Sequence, residues 1–233
     1  MNVSCPSPLR LLCKLGAVAL SASLAWMSND ALGAVVRVKP GQSIAAAINA
    51  AQAGDTVQVE SGTYDDNLLI TKSLTLEGIG RPTLNGRHKG DVIRVRARDV
   101  TIQGFVVRDS GTELGPQNAG IYIEPGSDRA LVQDCELVNN LFGIWLERSA
   151  DSILRRNSIT GRRDLMSVMR GNGIQVYNTT NSQVIDNQVS FARDGIYVDY
   201  SKHATFRGNK IHHVRYGTHY MNTNDSVWEN NEV

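Results

Sequence analysis

The chain is poor in cysteine, poor in aromatic residues and close to neutral. Cys5 and Cys13 lie in an N-terminal segment that is predicted to be removed, so Cys135 alone remains and an intramolecular disulfide cannot form. Phe, Trp and Tyr make up 6% of the residues, whereas there are 21 glycines, a balance that favours many tight turns over a large aromatic core. The formal net charge of +1 argues against a nucleic-acid partner, because such partners reward a basic surface.

The N-terminal apolar stretch, residues 15–26, is too short to span a bilayer. It follows Arg10 and Lys14 and precedes small residues at positions 31–34, which is the pattern of a cleaved secretion signal. Residues 1–34 are therefore predicted to be a signal peptide, and residues 35–233 the mature domain. A retained membrane anchor is the alternative.

Short β-rich runs recur along the mature chain, and no long segment has the apolar period of an amphipathic helix. The clearest run begins with Gly-Ile and has successive copies 23, 30, 22 and 22 residues apart, the last one degenerate, at Gly120, Gly143, Gly173, Gly195 and Gly217. One such coil cannot bury its inner face alone, but stacked coils pair their strands about 4.8 Å apart. The repeat predicts an all-β protein, a right-handed single-stranded parallel β-helix of the pectin-lyase-like kind.

Within the repeat, period-2 alternation assigns side chains to the inside or the outside. The second position places Ile121, Ile144, Ile174 and Ile196 on one inward column. A second run in each coil carries an asparagine at a fixed phase, which predicts an internal ladder of amide hydrogen bonds at a bend. Ordinary turn chemistry is the alternative. The ladder residues are Asn157, Asn187, Asn209 and Asn231, and the equivalent place in earlier coils is assigned to Cys135 and Gly104.

The two ends of the mature domain differ. Residues 42–51 predict a short apolar helix within an N-terminal cap at about 40–60, which would cover the first coil. Coils then run from about residue 61 to Val233, where the sequence stops in mid-coil. We therefore expect further coils beyond a truncated C-terminus, or a partner that covers this end.

Outward positions of the Gly-Ile strands form an aromatic stripe beside a carboxylate stripe. Such a face can bind an extended ligand, although a solvated sheet with β-favouring aromatics is the alternative. Glu-to-Glu pairs on adjacent coils also suit a polysaccharide hydrolase or lyase, but no residue is assigned a catalytic role. The candidate binding face comprises Tyr122, Trp145, Tyr197, Glu124, Glu147 and Asp199.

Histidines concentrate near the end of the sequence. His219 and Met221 lie two positions apart on one strand, and His203 and His212 belong to the preceding coil. Imidazole and thioether together suit copper(I), so these four residues are a candidate copper site, with polar surface as the alternative. His213 is predicted to point away from His212, to the opposite face of its strand.

Residues 194–199, 203–209 and 215–222 resemble the NosD family, and residues 41–64 are similar to the start of that family. The most specific block is Tyr216, Gly217, Thr218, His219, Tyr220, Met221 and Asn222. The resemblance implies a periplasmic accessory protein, not an enzyme, that takes part in maturation of the copper centre of nitrous oxide reductase. It also implies an ABC-type ATPase and permease in the inner membrane, a copper chaperone and the reductase as partners, with copper bound transiently and no firmly bound cofactor. Members of the family are about twice as long as this chain.

Two other functions are open at this stage. One is a carbohydrate-binding or polysaccharide-degrading β-helix, in which the aromatic stripe would line a sugar groove. The other is a surface-layer or adhesion solenoid, which would bind neither copper nor sugar and would have no transporter partner.

Overall fold

The computed structural model describes residues 1–2 and 33–233; residues 3–32, most of the predicted signal peptide, lie outside the described residues. Residues 33–233 form an all-β parallel solenoid, and the predicted fold is confirmed. Among the described residues, no helix is long and apolar enough to cross a membrane.

The solenoid is built from short strands, most of them three to six residues long. In chain order the strands are β1 (Val35–Val38), β2 (Thr56–Val59), β3 (Thr63–Tyr64), β4 (Leu68–Ile70), β5 (Thr75–Gly78), β6 (Thr83–Asn85), β7 (Ile93–Val95), β8 (Thr101–Gln103), β9 (Val106–Arg108), β10 (Ala119–Ile123), β11 (Leu131–Gln133), β12 (Glu136–Val138), β13 (Phe142–Glu147), β14 (Ile153–Arg155), β15 (Ser158–Thr160), β16 (Ile174–Tyr177), β17 (Gln183–Ile185), β18 (Gln188–Ser190), β19 (Asp194–Asp199), β20 (Thr205–Arg207), β21 (Lys210–His212), β22 (Tyr216–Tyr220) and β23 (Val227–Glu229). The helix α1 (Ile44–Ala50) lies between β1 and β2, and a single 3₁₀ turn spans Ser167–Met169.

From β2 to β22 each coil contributes one strand to each of three parallel sheets, while β1 and β23 belong to sheet A alone. Sheet A stacks β1, β2, β5, β8, β11, β14, β17, β20 and β23. Sheet B stacks β3, β6, β9, β12, β15, β18 and β21, and sheet C stacks β4, β7, β10, β13, β16, β19 and β22. Between β2 and β22 the chain therefore passes from A to B to C in each coil, and each strand residue lies beside its counterpart in the next coil.

The core is the shared interior of the three sheets. In sheet C the register pairs Ile121 with Ile144, Ile144 with Ile174 and Ile174 with Ile196, and all four side chains are fully buried. The predicted inward column is confirmed. It follows from alternation, because every second side chain of a strand points to the same face.

The four predicted ladder asparagines lie inside the turn from sheet A to sheet B. The side-chain oxygen of Asn187 accepts hydrogen bonds from the backbone N–H and the Nδ2 of Asn157, both at 3.0 Å. The same pair of contacts joins Asn187 to Asn209 at 3.0 Å and Asn209 to Asn231 at 2.9 Å. Each Nδ2 also donates to a backbone carbonyl, that of Leu154 in the case of Asn187. The amides thus satisfy backbone groups that the turn removes from the sheets.

One position of the ladder column was assigned wrongly from the sequence. Strand pairing places Phe105, not Gly104, in line with Cys135 and Asn157. Gly104 instead belongs to the preceding column, which has left-handed backbone in successive coils: φ is 77° at Gly104 and 53° at Arg156. Because a non-glycine residue can adopt this conformation, residue type alone did not separate the two columns.

Helix α1 takes the place of the strands that the first coil would contribute to sheets B and C. The hydroxyl of Ser43 accepts a hydrogen bond from the backbone N–H of Ala46 at 3.1 Å, and so begins the helix. Ile44 and Ile48 are buried in the core of the solenoid. A helix of seven residues is too short to be stable alone, so this packing stabilises it.

Candidate functional site

Two insertions flank the outer face of sheet C. Both replace the turn from sheet B to sheet C, which is three residues long between β12 and β13, between β18 and β19 and between β21 and β22. The first insertion is residues 109–118 and the second is residues 161–173. The strand β13 lies between the two coils that carry them, so the insertions form walls on either side of it.

A small apolar cluster forms outside the solenoid, under the second insertion. Leu165 packs against a cluster that includes Tyr122, Phe142 and Trp145. The rings of Tyr122 and Trp145 are stacked with centroids 5.9 Å apart, and Phe142 meets Trp145 edge-on at 4.8 Å. The sequence predicted an open aromatic stripe here, but Tyr122 and Trp145 are only 7% and 6% exposed. Both rings are buried in a cluster against which the second insertion packs through Leu165, and the strand pattern alone could not indicate this.

A groove of about 510 Å³ remains open beside this cluster. Four of the six residues of the predicted binding face line it, namely Trp145, Glu147, Tyr197 and Asp199. The other residues of its lining are Leu114, Gln117, Phe142, Asn172, Gln175, Tyr177 and Arg193.

Glu124 lies outside the groove lining and is neutralised by two arginines. Its carboxylate contacts Arg94 at 2.7 Å and Arg96 at 2.7 Å. Hydrogen bonds from Arg96 and Arg94 lower the pKa of Glu124 to about 2, although burial opposes this shift. Glu147, its neighbour on the next coil, accepts a hydrogen bond from the hydroxyl of Tyr122, and burial together with this carboxylate raises the pKa of Tyr122. The two carboxylates therefore have different environments and do not form a symmetric pair.

The floor of the groove is a chain of polar side chains. The Nε of Arg193 donates to the Oδ1 of Asn172 at 3.3 Å, and the Nδ2 of Asn172 donates to the Oε1 of Gln175 at 2.6 Å. Asn172 and Gln175 are almost fully buried. The indole Nε1 of Trp145 is also buried, and it has no hydrogen-bond partner among the described residues.

A second polar centre adjoins the groove around His219. Asp194 is fully buried, and its carboxylate accepts hydrogen bonds from Arg215 at 2.9 and 2.8 Å. The Nδ1 of His219 lies 3.0 Å from the same carboxylate. Burial alone would raise the pKa of Asp194, but the hydrogen bonds from Arg215 and His219 outweigh it and hold this pKa below its ordinary value. An ionised carboxylate can only accept, so Nδ1 of His219 is the protonated nitrogen that donates.

Soft and aromatic groups surround the imidazole of His219. The rings of Tyr197 and Tyr216 lie 4.6 and 5.4 Å from it, centroid to centroid. The hydroxyl of Tyr197 donates to the Sδ of Met221 at 3.1 Å. Tyr197 therefore links the groove, which it lines, to the His219 and Met221 pair.

The structure does not bring the four predicted copper ligands together. His219 belongs to sheet C, His212 to sheet B, and His203 to the turn before β20 of sheet A, so the three imidazoles lie on three sides of the solenoid. Within residues 33–233 there is no group of three or more His, Cys, Asp or Glu side chains that could hold a metal ion. Of the four, His219 and Met221 share a neighbour, because the imidazole and the Sδ both contact Tyr197.

The expected divergence of His212 and His213 was wrong. Their Nδ1 atoms are 2.7 Å apart, and both side chains are exposed. The strand β21 ends at His212, and His213 has a left-handed backbone with φ of 54°. Alternation between faces applies only within a strand, so it did not reach His213.

Sequence reasoning missed the residues that organise both centres. Asp194 and Arg215 lie in the segments that resemble the NosD family, but the sequence pattern indicates no role for them, nor for Asn172 and Arg193. Asn172 and Asp194 each precede a repeat glycine, Gly173 and Gly195, so the phase of the repeat could have pointed to them.

The segment that carries Asp194, Arg215 and His219 is similar to a known protein family. Residues 155–233 match the family model "Periplasmic copper-binding protein (NosD)". A Pseudomonas aeruginosa protein described as "Probable ABC transporter binding protein NosD" is 31% identical over 135 residues, which are 58% of this chain and 32% of that protein. The Stutzerimonas stutzeri protein of the same description is 29% identical over 138 residues, 59% of this chain and 32% of that protein. The resemblance to the NosD family is confirmed, and the chain covers about a third of the length of these relatives.

Solved structures share the fold. The catalytic domain of a GH87 α-1,3-glucanase in complex with tetrasaccharides superimposes with a TM-score of 0.61, at 12% identity, over 88% of this chain and 40% of that chain. At this level of identity the likeness shows the solenoid fold alone.

Proposed function

Because the chain is related to the NosD family through residues 155–233, we propose that it is part of a periplasmic accessory protein for assembly of the copper centre of nitrous oxide reductase. Copper is its cargo, taken from a copper chaperone and passed on, and not a resident cofactor. The names of the curated relatives support an ABC-type transporter as a partner. In this function the chain binds and presents copper and catalyses no reaction of its own.

The observation that carries the proposal is the contact between His219 and the buried Asp194. The Nδ1 of His219 donates to the buried carboxylate of Asp194, which leaves the lone pair of Nε2 for a metal ion. A carboxylate behind a metal-binding imidazole is a common arrangement, because it fixes the tautomer and makes the ligand more basic. Arg215 in turn holds Asp194 in place. The matched family segment includes all three residues.

Met221 supplies the second donor. A thioether is a soft ligand that favours copper(I), and imidazole also suits copper. The hydrogen bond that Met221 accepts from Tyr197 is weak, because thioether sulfur is a poor acceptor, so copper can displace it. Met221 and His219 are both partly exposed, at 39% for the whole residue and 30% for the side chain.

A two-ligand site is incomplete, and this favours transfer over storage. Within the described residues no third His, Cys, Asp or Glu side chain joins His219 and Met221 in a metal-binding group. A partner protein could therefore contribute ligands to the same ion while it arrives or leaves. A polysaccharide-cleaving role has less support, because Glu124 is occupied by Arg94 and Arg96.

Copper(I) titration of the purified chain against a competing chelator tests the site. We expect one ion per chain, and we expect the double variant His219→Ala, Met221→Ala to bind it more than about 100-fold more weakly, since loss of an outer-shell partner alone costs 10–100-fold. The matched control is His203→Asn with Met166→Ala. It removes an exposed imidazole and an exposed thioether from elsewhere, and asparagine tolerates the left-handed backbone at position 203. Equal affinity in the double variant and the control would contradict the assignment.

The biological role needs a separate measurement, the copper content of nitrous oxide reductase in a strain that lacks this gene. Copper-poor reductase that is restored by the wild-type gene, but not by the double variant, is the expected result. Fully metallated reductase in the deletion strain would reject the maturation role.

A further inference from the structure

We propose that the groove on the outer face of sheet C binds a neutral oligosaccharide. This inference goes beyond the proposed function and does not depend on copper. The volume of about 510 Å³ lies in the range of about 300–1,000 Å³ that is usual for small-ligand sites.

The two insertions supply the walls of the groove. Leu114 and Gln117 come from the first insertion, and the second insertion also supplies Asn172 of the floor. Leu165 anchors the second insertion on the apolar cluster that contains Tyr122 and Trp145. A ligand therefore meets a site whose apolar support is already in place, which lowers the cost of ordering it on binding.

The floor offers donors and acceptors side by side. Asn172 occupies the Oε1 of Gln175, which leaves the Nε2 of Gln175 as a donor, and Arg193 has guanidinium nitrogens beyond the one that contacts Asn172. The carboxylates of Glu147 and Asp199 are acceptors on the same surface. A hydroxyl group both donates and accepts hydrogen bonds, so a polyhydroxylated molecule can satisfy this alternating surface.

Aromatic side chains provide the remaining contact area. Tyr177 and Tyr197 line the groove and are partly exposed, in contrast to the covered Trp145. Each presents an apolar ring with a polar hydroxyl at its tip. The C–H faces of a sugar ring can pack on such rings while its hydroxyls reach the amides and carboxylates.

Charge and geometry disfavour other ligands. The lining has two carboxylates against one guanidinium, which works against polyanions such as acidic polysaccharides or phosphates. Apolar ligands would bury the unpaired polar groups of the floor at a cost. An extended peptide binds best along a free strand edge, where main-chain groups pair, whereas the outer face of sheet C presents side chains only.

Calorimetric titration with defined tetramers tests the proposal. The neutral probes are cellotetraose, maltotetraose, mannotetraose and chitotetraose; tetragalacturonate and tetralysine test the acidic and peptide alternatives. We expect at least one neutral tetramer to bind and neither charged probe to compete with it. Tyr177→Ala removes a ring contact, and Gln175→Glu replaces the Nε2 donor by an acceptor of the same shape; each should weaken binding at least about tenfold. Tyr220→Ala, an exposed tyrosine outside the groove lining whose ring meets Trp228, should leave it unchanged.

Three results would overturn the proposal. One is the absence of binding heat for every neutral tetramer at about 5 mM, because a dissociation constant above this concentration is too weak for a specific site. Another is binding that both groove variants leave intact while they remain folded by circular dichroism. The third is tighter binding of tetragalacturonate or tetralysine. None of these results bears on the copper titration, because Gln175 hydrogen-bonds to Asn172 and the ring of Tyr177 meets Tyr200, so both contacts lie away from His219 and Met221.

Discussion

The inner and outer faces of sheet C come from the same strands but obey different rules. The inner face repeats Ile121, Ile144, Ile174 and Ile196 in register. The outer column beside it reads Tyr122, Trp145, Gln175, Tyr197 and His219. Inside, each coil must match its neighbours because the core is close-packed. Outside, adjacent coils need only pair their backbones, so the side chains are available for ligands.

Removal of a ladder asparagine should produce the largest loss of stability. Asn187→Ala deprives the backbone N–H of Asn157 and the carbonyl of Leu154 of their partners inside the solenoid. At about 1–3 kcal/mol for each buried group left unpaired, we expect a loss of about 4 kcal/mol. The free energy of unfolding in urea measures it, with Gln188→Ala on an exposed position as control. If Asn187→Ala lost no more stability than the control, water would be replacing the ladder. The interior would then be less constrained than the contrast between inner and outer faces requires.

A pair of neighbouring substitutions compares the two faces directly. Ile196→Ala empties a fully buried position, and we expect it to cost about 3 kcal/mol. Tyr197→Ala, one residue further along β19, removes a partly exposed ring and should cost less than about 1 kcal/mol. Urea unfolding of both variants provides the measurement. Equal losses would show that the outer face is as constrained as the core.

The acid stability of the outer face should depend slightly on Glu124. Its pKa of about 2 in the folded chain lies below the value of about 4.3 expected when unfolded. A depressed pKa contributes stability above the unfolded value, and this contribution disappears as the pH falls from about 4.5 towards 2. Because Arg94 and Arg96 are 35% and 57% exposed, we expect no more than about 1 kcal/mol.

The measurement for Glu124 is the melting temperature as a function of pH. Glu124→Gln should lower it at neutral pH and flatten its decline between about pH 4.5 and 2. Glu136→Gln, which breaks an exposed pair with Arg81, serves as the matched control. If Glu124→Gln showed the same decline of melting temperature with falling pH as the wild type, the ion pairs of Glu124 would contribute nothing to acid stability.

The sequence predicted the interior of the solenoid well and its outer surface only in part. The strand register, the inward column and a helix within residues 42–51, observed at Ile44–Ala50, followed from period and composition. The assignment of Gly104 failed because the turn column tolerates glycine and non-glycine residues alike. The prediction of an open aromatic stripe failed because Tyr122 and Trp145 are buried in an apolar cluster, against which Leu165 packs from an inserted loop.

The sequence by itself determined the coil and its stacking. Alternation of apolar side chains and the recurring phase of the repeat are local properties, so the order of residues along the chain is enough to identify them. Tertiary structure alone decided that His203, His212 and His219 lie on three sides, since a coil folds neighbouring segments away from one another. It also decided that Asp194 meets His219, 25 residues away, and that two loops enclose one groove. Such meetings depend on which side of the coil a residue occupies, and the spacing along the chain does not state this.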